Sequence, residues 1–467
     1  MKKNESYKIK NLVLVLSLML ISLSSCDSDW IDSDLNIDPD SPGDVPMALI
    51  LPGVQQSMGY VLAGNDNVRT NNIWMQHFDG VSRQSFTEAR YQLTSADVGN
   101  LWDNTYTAML MNLDRMVLKS KAENFVSPHF EGVGQVMQAT TLGITTDLFG
   151  DIPFSDALGG DQGNLRPVYD TQEQVYDTIF ELLDNAVVNL AVAAADNVLP
   201  VTGDVIYGGD LDKWTKAAYS IKARHYLQLS NVLGDQAYTM ALAAVEKGFA
   251  SNADNYFVPF EDANRNPIFQ FMEQRGDITM GATFVDLLKS TDDPRLPFYV
   301  AENADGEFVG SVAGSENATA SLPGPYAAAP ASPVYLMNYA ELKFIEAEAQ
   351  LGLGKPVLAT EAFKEAVAAS VLMVTGEANT DWLVTNIDSV ITVTLEQIIT
   401  QKYINGYATN QPYNDYRRTG FPTLTLAQGA VLSQIPVRFP YPQSELDYNT
   451  DNVPAARQLT DKVWWDQ

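Results

Sequence analysis

The chain has 467 residues, 46% of them hydrophobic, with 58 acidic against 29 basic residues and a formal net charge of −29. That length and apolar content allow a large self-supporting core. The acidic surplus argues against binding nucleic acid or anionic lipid through charge, since both need basic patches, and the single cysteine excludes an intrachain disulfide.

Lys2, Lys3, Lys8 and Lys10 precede a nearly unbroken apolar run from Leu12 to Leu23, shorter than the roughly 20 residues of a membrane span. Leu23-Ser24-Ser25-Cys26 follows with the small residues a signal peptidase needs. A cleavage site ending on Cys resembles a bacterial lipoprotein signal. It implies removal of residues 1–25 and acylation of Cys26, where each buried methylene adds about 0.8 kcal/mol to membrane anchoring. The excised segment carries four lysines and one glutamate, so the mature chain holds 25 basic and 57 acidic residues, a net charge of −32. Residues 26–43, rich in Asp, Ser, Pro and Gly, read as an acidic extended tether.

Residues 44–467 read as one mostly α-helical domain. Thr94-x-x-Asp97 has the form of a capping box before Val98, Leu101, Trp102, Tyr106, Met109, Leu113 and Val117 at helical spacing. Phe130, Val133, Val136, Met137, Ile144 and Leu148 predict a second long helix ending near Gly150. Thr171-x-x-Gln174 opens a third, with Val175, Ile179, Leu183 and Leu190 on its stripe. Trp214, Ala217, Ile221 and Leu229 mark a fourth. Leu336, Tyr339, Leu342 and Ile345 mark a fifth, stopped by Gly352 and Gly354, and Pro356 starts its partner through Phe363 and Ala366. Thr394-x-x-Gln397 caps one more. Helix pairs joined by short Gly/Pro turns resemble tetratricopeptide repeats, and the run Ala347…Gly352…Ala362-Phe363…Ala366 comes nearest that consensus. Residues 197–212, 252–280 and 302–333 are long irregular stretches, of the kind that often carry function, and 407–450 is expected to run over the surface.

Several phrases recur in a known family: Leu148-Phe149-Gly150-Asp151-Ile152-Pro153-Phe154; Arg166-Pro167-Val168-Tyr169-Asp170-Thr171-Gln172; Gly209-Asp210-x-x-Lys213-Trp214 leading to Lys222 and Arg224; Tyr339-Ala340-Glu341 leading to Glu346-Ala347-Glu348; Asp415-Tyr416-Arg417-Arg418-Thr419-Gly420; and Ile435-Pro436-x-Arg438-Phe439-Pro440-Tyr441-Pro442. Their order and spacing resemble the SusD/RagB-type nutrient-binding lipoproteins, in the branch of shorter members, across nearly the whole chain. The resemblance implies tetratricopeptide-like helix pairs on one side and a ligand surface built from loops and insertions on the other. It further implies an outer-membrane, lipid-anchored, cell-surface location. The implied partners are a SusC-like TonB-dependent transporter and an oligosaccharide or polysaccharide ligand, or in some members a peptide. Neither a cofactor nor a metal is implied.

The residue types also have structural readings. Arg417 and Arg418 could grip a ligand carboxylate bidentately, but in so acidic a chain they are expected to hold the protein's own acids. Trp102 and Trp214 lie on apolar stripes and are expected in the core, and Trp464-Trp465 is expected to close the C-terminus. Sugars need flat aromatic faces with polar groups beside them. Trp74, with Asn72 beside it, reads either as a ligand platform or as core. Arg83, Gln84 and Tyr91 follow as polar contacts, and Tyr326 stands in the longest loop. Binding residues vary within the family, so the resemblance does not assign them.

Enzyme signatures fail one by one. The three histidines form no His-Glu-x-x-His; Gly354-Lys355 is followed by Pro356, not by a P-loop Ser or Thr; Gly132-x-Gly134 lacks its third glycine; and no complete Gly-x-Ser-x-Gly elbow occurs. Two carboxylates at glycosidase spacing would arise by chance among so many acids, so spacing alone does not decide against a surface glycosidase; the family resemblance implies a receptor that is not an enzyme, with a ligand-free scaffold as the structural alternative.

Overall fold

A computed structural model describes residues 45–455 and 458–467. The signal segment, the tether and Cys26 lie outside the described residues. Residues Met47–Gln467 cluster as one unit, built in chain order from α1 (Met47–Ser57), α2 (Asp66–Trp74), β1 (Phe78–Gly80), α3 (Arg83–Ala89), α4 (Gly99–Asn104) continued by a π-helical stretch (Thr105–Leu110) into α5 (Met111–Ser120), α6 (Pro128–Phe149), α7 (Gln172–Leu190), α8 (Leu211–Gln228) and α9 (Asp235–Val245). There follow β2 (Tyr256–Val258), α10 (Pro267–Gln274), β3 (Ile278–Met280), α11 (Ala282–Ser290), α12 (Pro325–Ala328), β4 (Val334–Met337), α13 (Tyr339–Gly352), α14 (Pro356–Thr375), α15 (Leu395–Asn405) and α16 (Gln411–Thr419). The strands make two antiparallel two-stranded ladders, β1 with β3 and β2 with β4. The architecture is mostly α, with tetratricopeptide-like pairs α6/α7 and α13/α14 and long loops between them. No helix among the described residues is long and apolar enough to cross a membrane.

Local signals set most helix ends. Thr171 and Thr394 each form a full capping box, accepting from the N3 amide while the Gln174 or Gln397 side chain accepts from the cap amide. Gly150, with φ +81°, closes α6. Two expectations need correction. Thr94 and Asp97 bond to each other, Thr94 N and Oγ1 both donating to Asp97 Oδ2 at 2.8 and 2.6 Å, but the helix begins at Gly99 with Val98 at its cap. Leu336 belongs to β4, and α13 starts after Asn338, whose side chain accepts from the Glu341 amide.

The segment 407–450 runs over the surface only in part: 420–434 is mostly exposed or half-buried, whereas most of 407–418 and 435–442 is buried. Tyr407, Tyr413, Arg417, Arg418, Arg438 and Phe439 are buried. Arg417 donates to the carbonyls of Asp147 at 2.7 Å and Val437 at 3.0 Å, so it holds backbone where an acid was expected. Arg418 does hold acids, pairing with Glu348 and Asp415. Arg438 donates to the Phe149 carbonyl, and the Phe439 amide to the Leu148 carbonyl at 2.8 Å. Burying such cations is costly unless their donors are paired; most of these donors are, while Arg418 Nε has no partner among the described residues.

Candidate functional site

The recurring motifs converge on one buried network. Asp147 Oδ1 accepts from Tyr176 Oη at 2.6 Å and from the Trp465 indole at 2.9 Å, and Oδ2 accepts from Asn414 at 2.8 Å. Burial pushes the Asp147 carboxyl up to about 6, against the Tyr176 hydrogen bond and the charge of Arg417. Asp170 accepts from the amides of Phe154 and Ser155 at 2.8 and 2.7 Å, and Tyr441 Oη donates to the Asp151 carbonyl at 3.0 Å. These phrases fasten the C-terminal segments to α6 and α7. Of this network, Asp147 and Asn414 also border a small cleft.

The residues singled out in the sequence are not brought together. Trp74 is fully buried: its indole donates to the Glu88 carbonyl at 3.1 Å and its ring packs on Tyr413 and Phe439 at 5.6 and 5.3 Å. Asn72 is buried too, donating to the Val68 and Thr409 carbonyls and accepting from the Ala408 amide at 3.0 Å. Tyr91, at φ +65°, is buried, and its hydroxyl accepts from the Ala427 amide at 3.1 Å. Trp74 therefore takes its core reading, its indole tying α2 to α3, and the readings of Asn72 and Tyr91 as ligand contacts are corrected: their polar atoms bond to the 408–427 segment, and none of the three has a face open to a ligand. Arg83 and Gln84 are exposed, and Tyr326 is half-buried.

Tyr326 leads to aromatic residues that the sequence reading passed over. Phe257 and Tyr335 stand directly opposite in the β2/β4 ladder, with ring centroids 5.5 Å apart. Tyr335 stacks on Tyr326 at 6.0 Å with an interplanar angle of 6°. All three rings are half-buried, and neither tyrosine hydroxyl makes a hydrogen bond among the described residues. Burial raises the phenol of each tyrosine above its ordinary range, so both stay neutral donors at physiological pH. Alternation in the short strand 334–337 was the one sequence signal that could have found Tyr335.

Tyr335 lies between two small clefts. One, of 30 Å³, is lined by polar groups including Thr140, Asn410, Gln411 and Asn414. The other, of 10 Å³, is lined by Asn266, Tyr326 and Tyr407 among others. Each has room for a water or two at most, so a sugar ring would lie across the aromatic rim. Larger hollows lie along helices. A 490 Å³ groove beside α14 is walled by Ala368, Ala369, Leu372 and Leu383 and offers few groups for hydroxyls. In a 260 Å³ cleft between α8 and α9, Lys222 is held by Asp184 and the Tyr226 ring stacks on Phe180. Among the described residues no cluster of three or more His, Cys, Asp or Glu could hold a metal.

A family model for SusD-like_2, described as starch-binding and associating with the outer membrane, matches residues 40–442. Solved structures superpose over nearly the whole chain. A chitin-binding protein matches with 25% identity and a TM-score of 0.76, covering 90% of this chain and 100% of its own. A SusD/RagB family protein from Bacteroides thetaiotaomicron matches with 24% identity and a TM-score of 0.76, covering 91% and 99%. A chitin-binding SusD homologue from Flavobacterium johnsoniae matches with 24% identity and a TM-score of 0.74, covering 90% and 97%. No curated protein matches significantly.

Proposed function

The chain belongs to the SusD-like family, and from that premise we propose that it is a lipid-anchored, surface-exposed receptor of the outer membrane. It captures an oligosaccharide or polysaccharide and delivers it to a SusC-like TonB-dependent transporter, without cleaving it. The observation that carries this reading is the Phe257–Tyr335–Tyr326 platform, three half-buried rings whose two hydroxyls are uncommitted. Flat rings take the C–H face of a pyranose, and free phenols take its hydroxyls. The family's description as starch-binding and the chitin-binding relatives support a carbohydrate ligand. The net charge of −32 for a chain starting at Cys26 keeps non-specific polyanion adhesion low.

Affinity electrophoresis through gels containing starch, glycol chitin or other polysaccharides tests capture. Retardation by at least one polymer, with no reducing ends released, is expected. Release of reducing ends would overturn the non-enzymatic reading. Co-purification of a large β-barrel with the Cys26-anchored protein tests delivery.

A further inference from the structure

On the far side of α10 from Asn266, two arginines share one acid. Asp277 is fully buried; its carboxylate accepts from Arg275 Nε at 3.0 Å and Ser82 Oγ at 2.8 Å and forms an ion pair with Arg83 Nη1 at 3.0 Å. Both guanidinium groups are open to solvent, Arg83 at 58% and Arg275 at 40% side-chain exposure. Each spends one nitrogen on Asp277. Among the described residues the remaining N–H groups of both make no hydrogen bond, so two exposed guanidinium groups share a single neutralising charge. The nearest acid on the same helix, Glu273, is already paired with Arg265 at 3.1 Å.

Two further features mark this corner as built. Arg83 has φ +49°, a left-handed conformation that non-glycine residues adopt at a cost and that clusters at functional sites. The Arg275 guanidinium also lies 5.9 Å from the Phe271 ring, whose environment is completed by Arg69 at 3.8 Å, so an aromatic surface adjoins the cationic one. α10 packs against α12, which carries Tyr326, so one helix connects the arginine pair at its C-terminal end to the element that carries part of the aromatic platform.

We propose that Arg83 and Arg275 form an anion subsite, and that the captured glycan carries acidic sugars whose carboxylate or sulfate docks on this pair. The inference rests on the carbohydrate-capture reading and adds the ligand's charge class. Guanidinium forks match both oxyanions bidentately, and the acidic surplus of the chain as a whole disfavours polyanions that lack such a contact.

The test uses two matched pairs of polymers with the full mature chain: polygalacturonate against its carboxyl-reduced form, and dextran sulfate against dextran. Binding of at least one acidic polymer, at least tenfold tighter than its neutral partner, is expected, and the pair that discriminates names the anion. Because removing both cations would strand the buried Asp277, the variant of choice is Arg83→Lys with Arg275→Lys, which keeps the charges and loses the forks. It should weaken acidic binding by about tenfold or more with circular dichroism unchanged. The single Arg83→Gln variant, in which Arg275 still neutralises Asp277, should weaken it in the same direction. Acidic binding undiminished in both variants overturns the proposal. Binding of neutral polymers alone also overturns it while leaving carbohydrate capture standing. Binding of none of the four nor of the starch and chitin gels overturns both.

Discussion

Arg418 lies against Glu348 with both side chains 2% exposed, linking α16 to α13 across 70 positions of sequence. Asp415, itself bonded to Lys402 at 2.8 Å, shares the same arginine. Breaking one side of a buried pair leaves the other charge without compensation. Glu348→Ala should therefore cost about 3–5 kcal/mol, read as a fall in the urea midpoint. A midpoint within error of wild type would show that Arg418 finds other partners without cost.

Gly143 marks where α6 approaches α8. A Cβ there would sit 2.5 Å from His225 Nε2. Alanine normally favours a helix over glycine by roughly 1 kcal/mol, but overpacking a filled core costs about 1–3 kcal/mol, so Gly143→Ala is expected to lower the melting temperature. His225 is buried and neutral, its imidazole pushed down to about 3 by burial and then by Arg224. In a His225→Ala background the clash is gone, and adding Gly143→Ala should no longer destabilise.

Glu88 gives the fold a pH dependence. Burial pushes its carboxyl up to about 7 from an ordinary 4.5, against the opposing charge of Arg69. The folded state therefore holds this proton more tightly than the unfolded state. Stability from this group is highest below about pH 4.5 and falls as pH rises to about 7. The shift corresponds to roughly 3 kcal/mol. Relative to Glu88→Gln, the wild type should lose stability by that order between pH 4.5 and pH 8. Parallel curves for the two proteins would contradict the assignment.

Trp74→Ala separates core from platform. Emptying a buried tryptophan site costs about 3–5 kcal/mol, so this variant should show a large drop in denaturation midpoint. Tyr335→Ala, at a half-buried ring, should fold close to normally. The reverse pattern would place Trp74 back among ligand contacts.

Much of the helical frame was legible because its signals are local. The Thr171 and Thr394 boxes and the Gly150 stop need only neighbours within a turn or so. Thr94 misled because the same Thr–Asp bonding pattern also closes a turn ahead of the helix. The segment after residue 407 misled in part because Arg, Pro and Tyr suggest surface. Its arginines are buried only because carbonyls of Asp147, Phe149 and Val437 and the acid of Glu348 meet them, and sequence spacing does not reveal those meetings. Asn72 and Trp74 looked like a sugar site for the same reason: the amide serves a backbone segment more than 330 positions away. Arg83 was singled out from sequence, but its partner Arg275 and the shared Asp277 come together only through the β1–β3 ladder.

Isothermal titration calorimetry of the mature protein against the polysaccharides that retard it, beside Tyr335→Ala and Phe257→Ala, is the most direct test of glycan capture on the loop face. Wild-type binding should weaken by about tenfold, near 1.4 kcal/mol, in either variant, with melting temperatures close to wild type. Unchanged affinity in both folded variants would place the ligand elsewhere and contradict the aromatic platform as the capture site.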